Sequence, residues 1–214
     1  MSRKLGSGKL VIATHNAGKL KEISALLAPH GLECLSAGSL GLPEPAETGT
    51  TFVENALLKA RHAARVTGLA ALADDSGLCV DALDGAPGLY SARYAGTHGD
   101  AAANIAKLLH SLDGVEDARR GAYFHCTLAL LRHPDDPRPL IAEGEWRGRV
   151  LHSPRGDGGF GYDPVFLDTG TGLTAAELDP ATKNRISHRA LAISRLRVAL
   201  TERVAQRRYS WLGG

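Results

Sequence analysis

The sequence of 214 residues has little net charge, few cysteines and no long apolar run, and each shortage removes a class of protein. Lysine and arginine number 25 against 23 aspartates and glutamates, a net charge of +2. The basic excess that makes a bulk polyanion such as nucleic acid the default partner is therefore missing, although a local basic pocket stays open. The three cysteines, Cys34, Cys79 and Cys126, are odd in number and far apart. That suits reduced thiols in a cytosol and argues against a disulfide framework or a zinc cluster. Behind Arg3, Lys4 and Lys9 the apolar stretch Leu10 to Ala13 is too short for a signal peptide, and no other stretch approaches a membrane span. A cytoplasmic setting and no membrane partner are the expectations. No internal repeat or low-complexity linker interrupts the chain. With 43% hydrophobic and 22% charged residues the composition is ordinary for a globular protein. The length predicts a single domain, 1–214, built as one body or as two closely joined lobes with a substantial core.

What the chain does have is a pair of adjacent carboxylates at its centre. Leu69 to Ala73 reads as a short buried strand, and Asp74 and Asp75 arrive where Ser76-Gly77 is expected to break it. Side chains alternate along a strand, so only one of the two faces a given side. One reading aims one Asp into a cleft, to hold a divalent metal or polarise a water, and turns the other back onto the loop. The other reading is a plain Asp-Asp-Ser-Gly turn.

Around this centre lie cationic, glycine-rich and acidic segments. Lys9 to Thr14 predicts a strand, His15-Asn-Ala-Gly-Lys19 a turn, and Leu20, Ile23, Leu26 and Leu27 a helix. The first N–H groups of such a helix, beside Asn16 and Lys19, form either a natural anion site or a structural cap. The turn is not a Walker loop: Ala13 stands where its first glycine belongs and Leu20 where Ser or Thr would bind magnesium. A Gly/Pro-rich loop carrying Glu44 and Glu47 ends at the capping box Thr51-Phe-Val-Glu54. The helix behind it has an apolar stripe of Val53, Ala56, Leu57, Ala60 and Ala64, with Asn55, Lys59 and Arg61 off the stripe. Lys59 is then solvated surface or points toward the carboxylates.

Further on, Leu78 to Leu83 predicts a second short strand. Asp100 caps a helix with Ile105, Leu108, Leu109 and Leu112 inward. Ala122 to Leu131 and Leu140 to Val150 predict a pair of strands. Pro154 to Pro164 holds four glycines with Phe160 and Tyr162. It is either a loop that lets backbone approach a ligand, with an aromatic stacking on a flat ring, or a flexible hairpin. Val165 to Leu167 resumes a strand. Lys183, Arg185, His188 and Arg189 then lead into a helix through Leu191, Ile193, Leu196, Val198 and Leu200. Positive charge at a helix entrance opposes the dipole unless an anion sits nearby, which points to a phosphate ligand. The tail from Gln206 is expected to fray.

Taken together, Thr14-His-Asn-Ala-Gly-Lys19, Glu47 to Asn55 with Lys59, Ala73-Asp-Asp-Ser-Gly77, Gly85-Ala-Pro-Gly88 with Ser91-Ala-Arg-Tyr94, Phe160-Gly-Tyr-Asp163, and Lys183-Asn with Ser187-His-Arg189 resemble the inosine/xanthosine triphosphate pyrophosphatases. The resemblance runs from about Leu10 to Leu200. It implies an α/β fold with two lobes around a long mixed β-sheet, flanking helices and an active-site cleft between the lobes. It also implies a homodimer and magnesium-dependent (Mg2+) release of pyrophosphate from deaminated purine nucleoside triphosphates such as ITP, dITP and XTP. By the same resemblance Asp75 is the proton acceptor and, with Glu47, a metal ligand. Thr14, His15, Asn16, Ala17, Gly18, Lys19, Lys59, Ser76 and Lys183 hold the triphosphate, while Phe160, Gly161, Tyr162, Asp163, His188 and Arg189 surround the base. Arg189 has only donors to offer, so it pairs with a 6-keto oxygen and is left unpaired against the amino group of adenine. The related Maf-like nucleotide hydrolases, a turnover-dead nucleotide sensor and a nucleic-acid module are the competing readings. They are opposed respectively by the Ser187-His-Arg189 and Phe160-Gly-Tyr-Asp163 pieces, by intact Asp75, Glu47 and Lys19, and by the near-neutral charge.

Overall fold

In the computed structural model, which describes residues 8–30 and 32–209, the apolar run after Lys9 becomes a four-residue strand, β1 (Lys9–Ile12), with its last three side chains buried. It lies between β2 (Glu33–Ser36) and β3 (Ala70–Val80) and is parallel to both, Leu10 standing opposite Cys34 and Ala70. Parallel neighbours need crossovers, and α1 (Ala17–Leu27) and α2 (Phe52–Thr67) supply them. The sheet is completed by β4 (Gly121–Leu131), β5 (Leu140–Val150) and the two-residue β6 (Phe166–Leu167), in the order β2-β1-β3-β4-β5-β6 with the last pair antiparallel. The other helices are α3 (Ala101–Ser111), α4 (Pro180–Ile186) and α5 (His188–Tyr209). This is the mixed α/β class that the sequence predicts. Arg3, Lys4 and the tail beyond Tyr209 lie outside the described residues; up to Tyr209 the expected frayed tail is helical. Among the described residues no helix is long and apolar enough to cross a membrane.

The helix starts follow the capping chemistry. Asn16, Thr51, Asp100 and Asp179 each accept from the backbone N–H three residues on. The strands depart from expectation in two places. β2 has no fully buried residue, so it offers no apolar run to read. β3 runs unbroken through Asp74-Asp75-Ser76-Gly77, and Leu78 belongs to it and not to a separate strand. Gly77 is required for close approach instead of a turn. A Cβ there would lie 2.1 Å from the Gly88 carbonyl oxygen and 2.8 Å from Ser91 Oγ, the same hydroxyl that accepts from Leu78 N–H at 2.9 Å.

The chain forms two compact units: Met1–Asp75, Thr127–Gly144 and Arg189–Gly214 make the first, Ser76–Cys126 and Glu145–His188 the second. The first has an alanine-rich core, in which Ala56, Ala60, Ala63 and Ala64 of α2 pack with Val11, Ala13, Ala71 and Ala73. Small side chains on both surfaces let helix and strands approach closely, and the buried face of α2 also takes in Asn55 and Lys59, which the apolar stripe had left outside. Arg61 is exposed as expected. In α5, Ala190, Ala192, Ile193 and Leu196 are buried, whereas Val198, expected in the stripe, is 56% exposed. The second unit is packed with larger groups, among them Leu78, Leu108, Leu112, Phe124, Trp146, Tyr162 and Phe166. Arg120 crosses this core buried, its guanidinium donating to the carbonyls of Leu112, Val150 and Leu151, each at 2.9 Å.

Candidate functional site

In the first unit the two central carboxylates face different partners, as strand alternation requires. Asp75 Oδ1 receives Lys59 Nζ at 2.7 Å, and the same ammonium donates to Glu47 Oε1 at 2.8 Å. Lys59 is only 7% exposed, so a buried cation gathers two acids, one from β3 and one from the loop before α2. Burial pushes the Asp75 carboxyl above its ordinary range; Lys59 and Lys19 pull against that shift, and Glu47 adds to it. For Lys59 burial acts to lower the pKa, but the charges of Asp75 and Glu47 outweigh it and raise the value, so the ammonium stays protonated.

Asp74, 1% exposed, is enclosed between two cations. Its Oδ1 meets Lys19 Nζ at 2.5 Å and its Oδ2 accepts from Arg189 Nε at 2.9 Å. Arg189 Nη1 donates to Glu22 of α1, and Arg189 is itself 1% exposed. Burial alone would raise the Asp74 pKa, yet Arg189 and Lys19 hold it well below the usual carboxylate range. Asp74, Lys19, Arg189 and Glu22 thus form a charge cluster joining β3, α1 and α5. Two of the Arg189 nitrogens, Nε and Nη1, are given to carboxylates. Sequence reasoning missed Glu22; the available signal was its place one turn after Lys19 on the same helix.

The turn before α1 is a built cap. Asn16 Oδ1 accepts from Lys19 N–H at 3.0 Å, Asn16 N–H donates to Thr14 Oγ1 at 3.2 Å, and His15 Nε2 lies 2.8 Å from the Leu42 carbonyl. Thr14 is buried, Ala17 is exposed, and Gly18 and Lys19 are half-buried in the first turn.

In the second unit the glycine-rich loop is folded around one carboxylate. Asp163, buried, accepts from Phe160 N–H at 2.8 Å and from Lys183 Nζ at 2.6 Å. Gly159 lies so close that a Cβ there would fall 2.1 Å from Asp163 Oδ2. Lys183 Nζ also sits 5.1 Å from the centre of the Phe160 ring. Tyr162 is 5% exposed and donates its hydroxyl to the Ser91 carbonyl at 2.9 Å. It is a core residue, which leaves half-buried Phe160 as the aromatic able to stack on a ligand. Ser76 is half-buried on β3, and Gly161 adopts a positive φ of 61°. His188 is buried against the rings of Phe124 and Trp146.

The expected cationic helix entrance is divided. Lys183 and Arg185 occupy the last turn of α4, where positive charge suits the dipole, and Ser187 separates them from α5. Of the other two, Arg189 has Asp74 and Glu22 as its counter-charges. The dipole argument for an external phosphate therefore loses its force, and the phosphate reading rests on Lys19, Lys59 and the acids beside them.

Among the described residues no three His, Cys, Asp or Glu side chains form a metal cage. Magnesium, however, takes hard oxygen donors and usually only one or two carboxylates beside substrate oxygens and waters. Asp75 and Glu47, brought together on one ammonium through a single oxygen each, fit that donor set.

Fold and site define an α/β protein with a buried acid–base cluster carried on its central strand. The Ham1 family profile matches residues 10–199, and the chain belongs to that family. It is 64% identical over 187 residues, 87% of this chain and 94% of the relative, to a dITP/XTP pyrophosphatase of Xanthomonas oryzae pv. oryzae. It is 50% identical over 194 residues, 91% of this chain and 97% of the relative, to the dITP/XTP pyrophosphatase of Vibrio cholerae serotype O1. A solved HAM1 protein from Coxiella burnetii superposes with a TM-score of 0.82 at 48% identity, covering 91% of this chain and 98% of that one.

Proposed function

We propose that this protein hydrolyses deaminated purine nucleoside triphosphates (dITP, ITP, XTP and dXTP) to the monophosphate and pyrophosphate, clearing them from the nucleotide pool before they enter DNA or RNA. The observation that carries the reading is the Lys59 ammonium holding Asp75 at 2.7 Å and Glu47 at 2.8 Å. Family membership and the substrates in the relatives' names support the choice of nucleotide.

Attack of water on the α-phosphorus of a polyanion needs a proton acceptor, charge to offset the phosphates, and fixed orientation. Asp75 suits the first task. Burial makes its carboxylate more basic than an exposed one, and it remains anionic because Lys59 lies against it. Lys19 and Lys59 supply positive charge near the carboxylates, and Lys183 supplies it beside Phe160. Asp74, saturated by Lys19 and Arg189, orients Lys19 and is not itself the base. Asp75 and Glu47 are the residues that would hold magnesium, whose part when bound is to neutralise phosphate oxygens and acidify a water. Phe160 would stack on the purine, and Asp163, Lys183 and His188 would offer hydrogen bonds to it. The resemblance further supports a homodimer, and the near-neutral charge, scattered cysteines and short apolar runs suit a cytoplasmic setting with neither nucleic acid nor membrane as partner; light scattering at micromolar concentration tests the dimer.

The deciding experiment is a panel of ITP, XTP, GTP, ATP and pyrimidine triphosphates, each assayed separately for pyrophosphate and for orthophosphate. The expected result is pyrophosphate with monophosphate from ITP and XTP, lost with a chelator and restored with magnesium. Diphosphate with orthophosphate would exclude the reaction, and chelator-insensitive turnover would remove the metal.

A further inference from the structure

His188 belongs to an aromatic stack that its place in the sequence does not reveal. Its ring lies 4.9 Å from that of Phe124 at 16° and 6.4 Å from that of Trp146 at 14°. Phe124 and Trp146 are themselves 30° apart, and Phe166 closes the group edge-on to Trp146 at 5.0 Å and 63°. All four residues belong to the second unit. The outer torsion of a His, Phe or Trp side chain is soft, so backbone and rotamer alone leave the plane of an imidazole poorly fixed. Here two nearly parallel faces set that plane. The plane of Trp146 is in turn fixed by a directional contact, since its Nε1–H donates to Asp168 Oδ1 at 2.8 Å. Asp168 is buried and anchored through its other oxygen by Thr171 N–H at 2.8 Å and Thr171 Oγ1 at 2.7 Å.

We propose that Trp146, oriented by Asp168, is a positioning residue that sets the ring plane of His188 and thereby the discrimination among purine bases. The inference rests on the reading of His188 as a base-contacting residue. The hydrogen bonds of an imidazole lie in its ring plane, so a ring free to rotate still reaches a base but no longer favours one edge pattern over another. Phe124 supplies the nearer of the two parallel surfaces, and Asp168 acts only through Trp146.

The test measures kcat and KM for ITP and ATP with the full-length enzyme carrying Trp146→Leu, Trp146→Phe or His188→Ala. Misplacing a reacting group by about 1 Å can cost about 10²-fold, so a ring loosened in place should lose roughly tenfold in kcat/KM for ITP. The loss should fall mainly on KM and narrow the ITP-over-ATP ratio in the direction His188→Ala does. Trp146→Phe keeps an aromatic face and should recover part of the ratio. A ratio unchanged in Trp146→Leu while His188→Ala narrows it overturns the inference and leaves the base site standing. A ratio unchanged in His188→Ala overturns the base-site reading first and the inference with it. A spectroscopic arm serves if Trp146→Leu fails to fold. The chain has two tryptophans, Trp146 and Trp211, so Trp211→Phe leaves Trp146 as the sole reporter. A non-hydrolysable α,β-methylene analogue of ITP should shift its emission while inorganic tripolyphosphate should not, and equal responses to the two would refute the coupling.

Discussion

The sharpest perturbation is to neutralise the two neighbouring aspartates one at a time, because the structure gives them opposite burdens. Asp75→Asn keeps an oxygen for Lys59 and leaves Glu47 as a second acidic partner for the ammonium, so the fold should lose no more than about 1 kcal/mol, the usual worth of one hydrogen bond. It removes the proton acceptor, and the acid–base part of catalysis alone is worth about 10²–10⁴-fold. Asp74→Asn changes a side chain enclosed between Lys19 Nζ and Arg189 Nε. An amide cannot accept on both sides, so one cation faces an NH₂ group inside the protein. Removing one partner of a buried pair costs about 3–5 kcal/mol, a large share of the roughly 5–15 kcal/mol that holds an ordinary domain together. Pyrophosphate release from ITP and urea unfolding, run on both variants, separate the effects. The expected pattern is a folded, nearly inactive Asp75→Asn and a strongly destabilised Asp74→Asn that keeps turnover in its folded fraction. Turnover of Asp75→Asn within tenfold of wild type, or Asp74→Asn within 1 kcal/mol of wild type in urea, would refute the division of labour.

Arg189→Ala should behave as a stability variant: with Asp74 and Glu22 left facing each other, the loss should reach about 3–5 kcal/mol in urea, and the ITP-over-ATP ratio of the folded fraction should hold. A narrowed ratio at unchanged stability would return Arg189 to the base. Asp136 offers a pH test away from the site. It is buried, accepts from the side chain and backbone of Arg132 and from Arg138 N–H, and is held below its ordinary pKa chiefly by the Arg132 hydrogen bond against the opposing effect of burial. A depressed carboxylate contributes stability above its unfolded pKa and loses it as pH falls through the folded value. Asp136→Asn should therefore be less stable at neutral pH by about 1.5–3 kcal/mol, with the gap to wild type closing as pH falls below about 4. A gap that stays constant into acid would show that the charge of Asp136 is not its source.

Local chemistry was legible in the sequence because it acts over a few residues. The helix caps at Asn16, Thr51 and Asp100 need only a side chain and an N–H three positions on. The apolar runs at β1 and β4 mark buried strands by composition alone, and alternation along Leu140 to Val150 marks β5. Apart from Glu22, the members of the candidate site were also named from sequence, through the order and spacing of short motifs, none of which is specific by itself.

Which of those residues meet was decided by tertiary structure. Lys59 and Asn55 read as off-stripe positions of α2, but an alanine-faced helix packs so closely that its neighbouring polar side chains are enclosed too. Lys59 then has to find Asp75 and Glu47, since a buried ammonium without acids is too costly to keep charged. Four cationizable side chains in seven residues read as a helix entrance awaiting an anion, until α4 ended at Ile186 and gave two of them a favourable C-terminal turn. Glu22 lies 167 positions from Arg189, and no local pattern predicts that a carboxylate so distant in sequence will meet that guanidinium. The sequence by itself determined the element types, the caps and the inventory of acids and cations, all matters of short-range stereochemistry. Only the tertiary structure decided which acid answers which cation, because burial makes every charge require a partner and the packing of strands and helices chooses it.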